Sequence, residues 1–464
     1  MAMRQRTRLL ATLGATVALA GGAAAYAYFG VFEAEREEAE RKDAEARLVP
    51  LEKEAVSALS VTAQGETTVL ERRDGVWKLT APVAADADGT AVDALLDRLV
   101  GAKRKGTVKD GADPARYGLA SPALRVAATT AAGEVSLAVG DANEFDGSRF
   151  VRAGAGPIAT VEGGLHAALE KSSFDLREKR PWSFDAAKVR AVRVVGARAW
   201  AAERDGAGWK LTAPIAEQAD GAAVDRIVNS LRSLRATAIP AEDGADGRPF
   251  GLAAPVATVT VELEGGASLS LALGEVPAGD DRKLYARAGD GFVAEVPGRI
   301  RDEVAPELFA LRDKTVVTFD RGAVALLEFE GEERFSVERK REGTPPEERF
   351  ALVAPRAAPA KRWKASGALA TLAGLKAAAW VDEQAKDLGK YGLDRPRRSF
   401  TVKDAAGQVL ARLLVGSIDG DRVHVMAAGS PRVALVDKAR VDELPARVSD
   451  VEEVAVPATG AAAE

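Results

Sequence analysis

The chain has no cysteine in its 464 residues. That excludes disulfides, thiolate nucleophiles and cysteine-ligated zinc or iron–sulfur centres. It permits an oxidising compartment without requiring one. Histidine is almost as scarce, with only His166 and His424. They stand at non-equivalent places of the repeat described below, and the sequence sets no ligand or triad partners beside them. Aromatic residues make up 5% of the chain, so its apolar mass comes from Ala, Val and Leu. There is no basic excess. The formal net charge of −5 argues against a nucleic-acid binder, whose footprint is a basic face. No P-loop, no Gly-x-Ser-x-Gly elbow and no His-Glu-x-x-His pair occurs. No catalytic residue, cofactor site or metal site is therefore assigned.

What the chain has is self-similarity. Trp77-Lys78-Leu79-Thr80-Ala81-Pro82 returns unchanged as Trp209-Lys210-Leu211-Thr212-Ala213-Pro214, and in degenerate form as Phe350-Ala351-Leu352-Val353-Ala354-Pro355. This period is the size of a domain and far too long for a solenoid repeat. Other landmarks keep step. Tyr117-Gly118-Leu119, Phe250-Gly251-Leu252 and Tyr391-Gly392-Leu393 follow their anchors at matching offsets. Each is followed by a strand-ending glycine: Gly140, Gly274 and Gly416. Two copies close on Phe174-Asp175-Leu176-Arg177-Glu178-Lys179 and Phe309-Ala310-Leu311-Arg312-Asp313-Lys314. Trp77, Trp209 and Phe350 read as core anchors, because buried rings dominate domain cores.

Within a copy the elements follow from local chemistry. Val56–Val61 and Thr67–Glu71 alternate around Gln64-Gly65. Asp74-Gly75 is a hairpin signal, and Pro82 and its counterparts Pro214 and Pro355 end the anchor strand, having no N–H to donate. Asp88 and Asp220 stand where a helix cap belongs. Val92, Leu95, Leu96 and Leu99 then trace one buried helical face, matched by Val224, Ile227, Val228 and Leu231. The third copy keeps Leu369, Leu372 and Leu375, but Lys361 takes the cap position. Alternating segments resume after the Tyr-Gly-Leu turn, and a short helix over Leu165–Glu170 closes the copy. Strands, one helix, strands and a short terminal helix predict an α+β class with mostly antiparallel sheets.

The ends differ from the body. Arg4, Arg6 and Arg8 precede an uncharged run over 9–29. As a helix it would be roughly 31 Å long, enough to span a bilayer core. The basic amino side and Glu33, Glu35, Glu37 and Glu38 beyond it place residues 1–8 in the cytoplasm and the body outside. A cleaved signal peptide with secretion is the competing reading, Ala23-Ala24-Ala25 serving as a small-residue site. Residues 30–54 read as a charged helical stalk or a polar linker. The units follow at 55–180, 181–317 and 318–455, with a disordered tail at 456–464.

Several clusters invite chemistry and have simpler explanations. Asp86, Asp88 and Gly89 lack the spacing of a calcium loop. The acid–glycine turns at 141–147, 279–281 and 419–421 are ordinary turn chemistry or a polar binding edge. Lys103-Arg104-Lys105 reads as a solvated helix end. Arg177 and Lys179, with Arg312 and Lys314, either lock neighbouring units together or complement exposed helix ends.

The anchor strand, the Asp-capped helix, the Tyr-Gly-Leu-x-x-Pro turn, the glycine-ended strand and the Leu-Arg-Asp/Glu-Lys close together resemble the bacterial domain of unknown function 4340 family, over about 55–455. The resemblance implies single-span, extracytoplasmic proteins of the inner membrane, associated with permeases of gliding-motility-type ABC transporters. It brings no catalytic residues. The expectation is a non-enzymatic scaffold or accessory subunit, anchored in the membrane, with a protein partner in the envelope. A module binding an envelope glycan or small molecule, and a hydrolase with an unrecognised carboxylate pair, are the alternatives.

Overall fold

The computed structural model describes Tyr28 and residues 32–109, 113–276, 280, 282–342 and 347–453. The proposed span at 9–29, apart from Tyr28, and the tail at 456–464 lie outside the described residues. Among the described residues no helix is long and apolar enough to cross a membrane.

Helix α1 (Phe32–Ala46) is the charged stretch. Ion pairs Arg36–Glu40, Glu38–Lys42, Arg41–Glu45 and Asp43–Arg47 run along it at i,i+4. Such pairs are what a helix without an apolar face needs. The chain then turns inward at once. Leu48, Val49 and Leu51, upstream of residue 55, are buried in the first core.

The first repeat contains β1 (Ala58–Ala63), β2 (Glu66–Arg73), β3 (Val76–Ala81), β4 (Ala85–Asp86), α2 (Gly89–Val100), β5 (Gly106–Thr107), β6 (Leu124–Thr130), β7 (Gly133–Ala142), β8 (Arg149–Ala153), β9 (Ile158–Val161), α3 (Gly164–Leu169) and α4 (Ser173–Leu176). The sheet order is β4-β3-β2-β1-β6-β7-β8-β9-β5, and its pairings are antiparallel. Gln64-Gly65 and Asp74-Gly75 take the positive φ values (52°, 81° and 51°, 81°) that a two-residue hairpin matching the strand twist requires.

The second repeat has the same order with β10 (Val189–Gly196), β11 (Trp200–Asp205), β12 (Gly208–Ala213), β13 (Glu217–Gln218), α5 (Gly221–Arg232), β14 (Ala238–Ala241), β15 (Ala257–Leu263), β16 (Ser268–Gly274), β17 (Lys283–Ala288), β18 (Val293–Pro297), α6 (Ile300–Val304) and α7 (Leu308–Leu311). The third has β19 (Leu326–Glu330), β20 (Arg334–Glu342), β21 (Glu347–Ala354), β22 (Ala358–Pro359), α8 (Arg362–Ala373), β23 (Ala379–Asp382), β24 (Arg398–Lys403), β25 (Val409–Asp419), β26 (Arg422–Ala427), β27 (Val433–Asp437), α9 (Lys438–Asp442) and α10 (Val448–Val451). Three nine-stranded antiparallel sheets thus correspond to three repeats. Each repeat closes with two short helices rather than the single one expected.

The main helix links the two edges of its sheet: α2 follows edge strand β4 and precedes the opposite edge strand β5. The Asp88 carboxylate accepts from the amides of Thr90 and Ala91, and Asp220 accepts from that of Ala223. Both predicted apolar faces are buried. In α8, Lys361 supplies no side-chain cap, and Ala365 and Ala368 join Leu369 and Leu372 in the buried face.

A smaller core forms around the Tyr-Gly-Leu turn, with Leu119, Ala138 and Ile158 in the first repeat and Tyr391, Leu393, Met426 and Val433 in the third. Gly118, Gly251 and Gly392 have φ of 67°, 69° and 65°, a conformation costly for residues with a Cβ. Gly140 and Gly416 do not end their strands as expected, since β7 and β25 run on through them. Gly274 does end β16. Their shared reason is close approach. A Cβ there would lie 2.1–2.2 Å from the carbonyl oxygen of Tyr117, Phe250 or Tyr391.

The chain forms two compact units. One comprises 1–181, 234–245 and 290–296; the other comprises 182–233, 246–289 and 297–464. The first therefore holds the whole first repeat with two segments of the second.

Trp77, Trp209 and Phe350 are 5%, 1% and 6% exposed, which makes them core residues. Trp209 adds what packing alone did not predict: its Nε1 donates to Asp225 Oδ1 at 2.8 Å. Trp77→Ala and Trp209→Ala should each cost about 3–5 kcal/mol, read from urea unfolding. Wild-type midpoints in both would contradict the core assignment.

Candidate functional site: the closing arginines

The last short helix of each repeat hands over to one extended residue: Arg177, Arg312 or Glu452. That residue forms an isolated antiparallel bridge with Ala87, Ala219 or Ala360, just before the main helix. The next amide in each case, from Asp88, Asp220 or Lys361, donates to the carbonyl of Leu176, Leu311 or Val451 at 2.7–2.8 Å. One main-chain clamp thus closes all three repeats and aims the closing side chain.

Arg177 is 5% exposed. It forks onto both carboxylate oxygens of Glu242 at 2.9 Å and stands 5.3 Å over the Phe292 ring. Glu242 and Phe292 belong to the second repeat. Beside this pair, Arg235 of the second repeat donates to Asp88 Oδ2 at 2.5 Å. Burial alone would raise the Asp88 carboxyl, but Arg235 and the capped amides outweigh it and hold it below its usual value.

Arg312 repeats the arrangement with more charge. It bonds both oxygens of Glu217 in its own repeat and, at 2.6 and 3.0 Å, both oxygens of Glu383 in the third. Arg432, also of the third repeat, closes the ring, reaching Glu217 at 2.6 Å and Glu383 at 3.0 Å. Two cations and two anions alternate, so no buried charge is left uncompensated, the condition under which burial is tolerable. Glu383 raises the Arg312 guanidinium above its ordinary value against the effect of burial. Arg312 in turn holds Glu383 below the usual carboxylate range. Lys314 Nζ lies 3.4 Å from Asp220 Oδ2, whereas Lys179 stacks on Phe174.

The third repeat reverses the signs. Glu452 stands in the place of the closing arginine and pairs with Arg356 of its own repeat. Lys361, in the place of the cap aspartate, donates to the carbonyl of Ser449 at 3.0 Å.

Of the expected residues, Arg177 and Arg312 join neighbouring repeats, Asp88 and Asp220 cap helices beside them, and the aromatic, glycine and proline anchors (Tyr117, Phe250, Tyr391 and Pro82 among them) form the cores and turns. The alanine–proline bonds before Pro82, Pro214 and Pro355 are all cis. Sequence reasoning missed the acids that receive the arginines. Glu242 follows Trp209 at the same offset as Glu383 follows Phe350, and Asp110 follows Trp77 at that offset too. The constant offset was the available signal; Asp110 itself lies outside the described residues.

The remaining candidates serve locally. His424 occupies the ring position of Phe150 and Tyr285, packing on Tyr391 at 5.2 Å as those pack on Tyr117 and Phe250 at 4.7 and 5.1 Å. Its Nδ1 lies 3.1 Å from both Ser417 oxygens. His166 faces Glu170 at 3.6 Å. Asp86 pairs with Lys78. Asp280 binds Arg282, which holds its carboxyl down to about 2. Among the described residues no group of three potential ligands could hold a metal ion.

The fold and the clamps define a tandem α+β repeat protein in which an arginine largely withdrawn from water pairs with a half-exposed acid of the next repeat. The family model for a domain of unknown function (DUF4340) matches residues 77–212, 209–352 and 351–456; the chain belongs to this family. No curated protein matches the chain. Each family match runs from the anchor strand of one repeat to that of the next, or onward from the last. The first two matches therefore contain the closing arginine, and the acid that receives it falls in the match that follows.

The Arg177–Glu242 pair is asymmetric, since Glu242 is 45% exposed on its side chain and Arg177 only 6%. Glu242→Gln strands a buried cation and should cost about 3 kcal/mol, whereas Arg177→Met leaves a carboxylate facing water and should cost under about 1 kcal/mol. Denaturant unfolding gives both. The reverse order would contradict this account.

Proposed function

We propose that the chain is a non-enzymatic, membrane-anchored extracytoplasmic scaffold or accessory subunit, acting beside the permease of an ABC-type transport complex. The observation that carries this reading is where the closing charges go. Arg177 and Arg312 both reach the following repeat, through Glu242 and Glu383, Arg312 also holding Glu217 of its own. A chain that gives its closing charges to continuity between repeats holds neighbouring surfaces in register, as an assembly platform must. The apolar run at 9–29 and the arginines before it supply the anchor and the orientation. The partner class comes from the family resemblance.

The test is affinity capture of the full-length protein from gently solubilised membranes, against a form lacking residues 1–32. Recovery of a permease and its ATPase with the full-length protein is expected. A folded, membrane-bound protein that brings down neither would contradict the reading. The cleft described next is the observation that favours a ligand-binding role beside it.

A further inference from the structure

A cleft of 690 Å³ opens on the first repeat between the C-terminal end of α2, residues 101–105 and α3. Its charged wall consists of Arg98, Lys103, Arg104 and Lys105, with Asp97 and Glu162. Lys103 pairs with Asp43 of α1, Lys105 with Asp146 at 2.8 Å, and Asp97 with Lys53 at 2.9 Å. Both remaining guanidiniums, Arg98 and Arg104, are exposed and have no side-chain partner among the described residues.

The sister repeats show that the fold does not need these cations. Counted from the caps, Arg98 stands where the others have Ser230 and Thr371, Arg104 where they have Ala236 and Ala377, and Lys105 where they have Thr237 and Ala378. The backbone confirms the match. Arg104 N–H donates to Ala46 O as Ala236 donates to Lys179 O and Ala377 to Lys314 O. Three cations beside one cleft are thus an addition specific to the first repeat.

A second feature is joined to the same wall. Phe145 is 99% exposed at the tip of the turn joining β7 to β8. The turn is stiff. Gly147 N–H donates to Asn143 O at 2.9 Å, Phe145 N–H to Asn143 Oδ1 at 3.2 Å, and Ser148 O–H to Asp146 Oδ1 at 2.6 Å. The Lys105–Asp146 pair fastens it to the cleft wall. The same wall meets the end of α1, the helix that follows the apolar run at 9–29.

We propose that this cleft binds the phosphate of a phospholipid headgroup, with Phe145 entering the lipid interface beside it. Guanidiniums present paired N–H donors to phosphate oxygens. An exposed ring on a stiff turn gains area on entering the interface without a large ordering cost. Glu162, the wall carboxylate with no side-chain partner among the described residues, can receive a headgroup ammonium. The membrane setting rests on the function proposed above. The probe is a soluble short-chain lipid, so headgroup binding is read whether or not a transport partner is ever captured.

The experiment titrates full-length protein, in a glycoside detergent, with dihexanoyl-phosphatidylethanolamine and separately with O-phosphoethanolamine, by calorimetry. Arg98→Ser with Arg104→Ala installs residues that the second repeat already uses, so its melting temperature should match wild type. The double variant should weaken lipid binding at least tenfold. Phe145→Ala should weaken the lipid several-fold and leave the free headgroup unchanged. Equal lipid affinity in the folded double variant, or no binding by wild type, would overturn the proposal. Equal affinity for lipid and free headgroup with no effect of Phe145→Ala would assign the cleft to a soluble phosphate ester instead. Displacement by a glutamate-rich peptide more readily than by the headgroup would assign it to a protein partner. Both of those results would also overturn the proposal.

Discussion

A guanidinium taken out of water must be met by hydrogen-bond acceptors, and at the two junctions of this chain those acceptors are carboxylates. Arg177 and Arg312 are aimed by a main-chain clamp that recurs in every repeat. Once aimed inward they need acids; the repeat that follows supplies one to each, Glu242 and Glu383, and Glu217 of its own repeat also serves Arg312. Hydrophobic burial builds the cores, and the third core takes in Val316 and Val317 from the end of the second repeat. The ion pairs add specificity between repeats, because a shifted first junction would part the buried Arg177 from the carboxylate of Glu242. Specificity of register is the best-attested use of such pairs.

The two junctions solve the problem differently. Around Arg177 a single exposed-side acid suffices, helped by the face of Phe292. Around Arg312, Arg432 occupies the place of that phenylalanine and Glu217 adds a second acid, so the pair becomes a ring. The third repeat keeps the clamp and exchanges the charges. With Glu452 turned to Arg356 and Lys361 to nearby carbonyls, its closing end is satisfied internally. The same backbone therefore serves as a junction or as a self-contained end, depending on two residues.

Much of this was legible in the sequence. The anchor Trp77 and its returns, the Asp88 and Asp220 caps, the helical faces and the Asp74-Gly75 hairpin are local signals, and local physics decides them. The antiparallel class followed from element order. The path of α2 from one sheet edge to the other did not, because it depends on β5 pairing with β9 far along the chain. The second short terminal helix was missed because such brief helices carry too little periodicity. Gly140 and Gly416 look like strand ends in the sequence, whereas a carbonyl approaching from an earlier turn is what excludes a Cβ. At the closing arginines the choice between a junction and an exposed helix end stayed open, although acids at a constant offset from Trp209 and Phe350 were there to be counted. Lys103-Arg104-Lys105 reads as a solvated helix end on its own; only the count from the caps, set beside the sister repeats, separates an addition from the scaffold.

The central claim is that the closing arginine couples one repeat energetically to the next. The most direct measurement is a double-mutant cycle on Arg312 and Glu383, with unfolding free energies for Arg312→Met, Glu383→Gln and the pair. Residues in one ion-pair network should show a coupling of about 1–3 kcal/mol. Additivity within about 0.5 kcal/mol would mean that the ring holds nothing together, and that packing alone sets the junction.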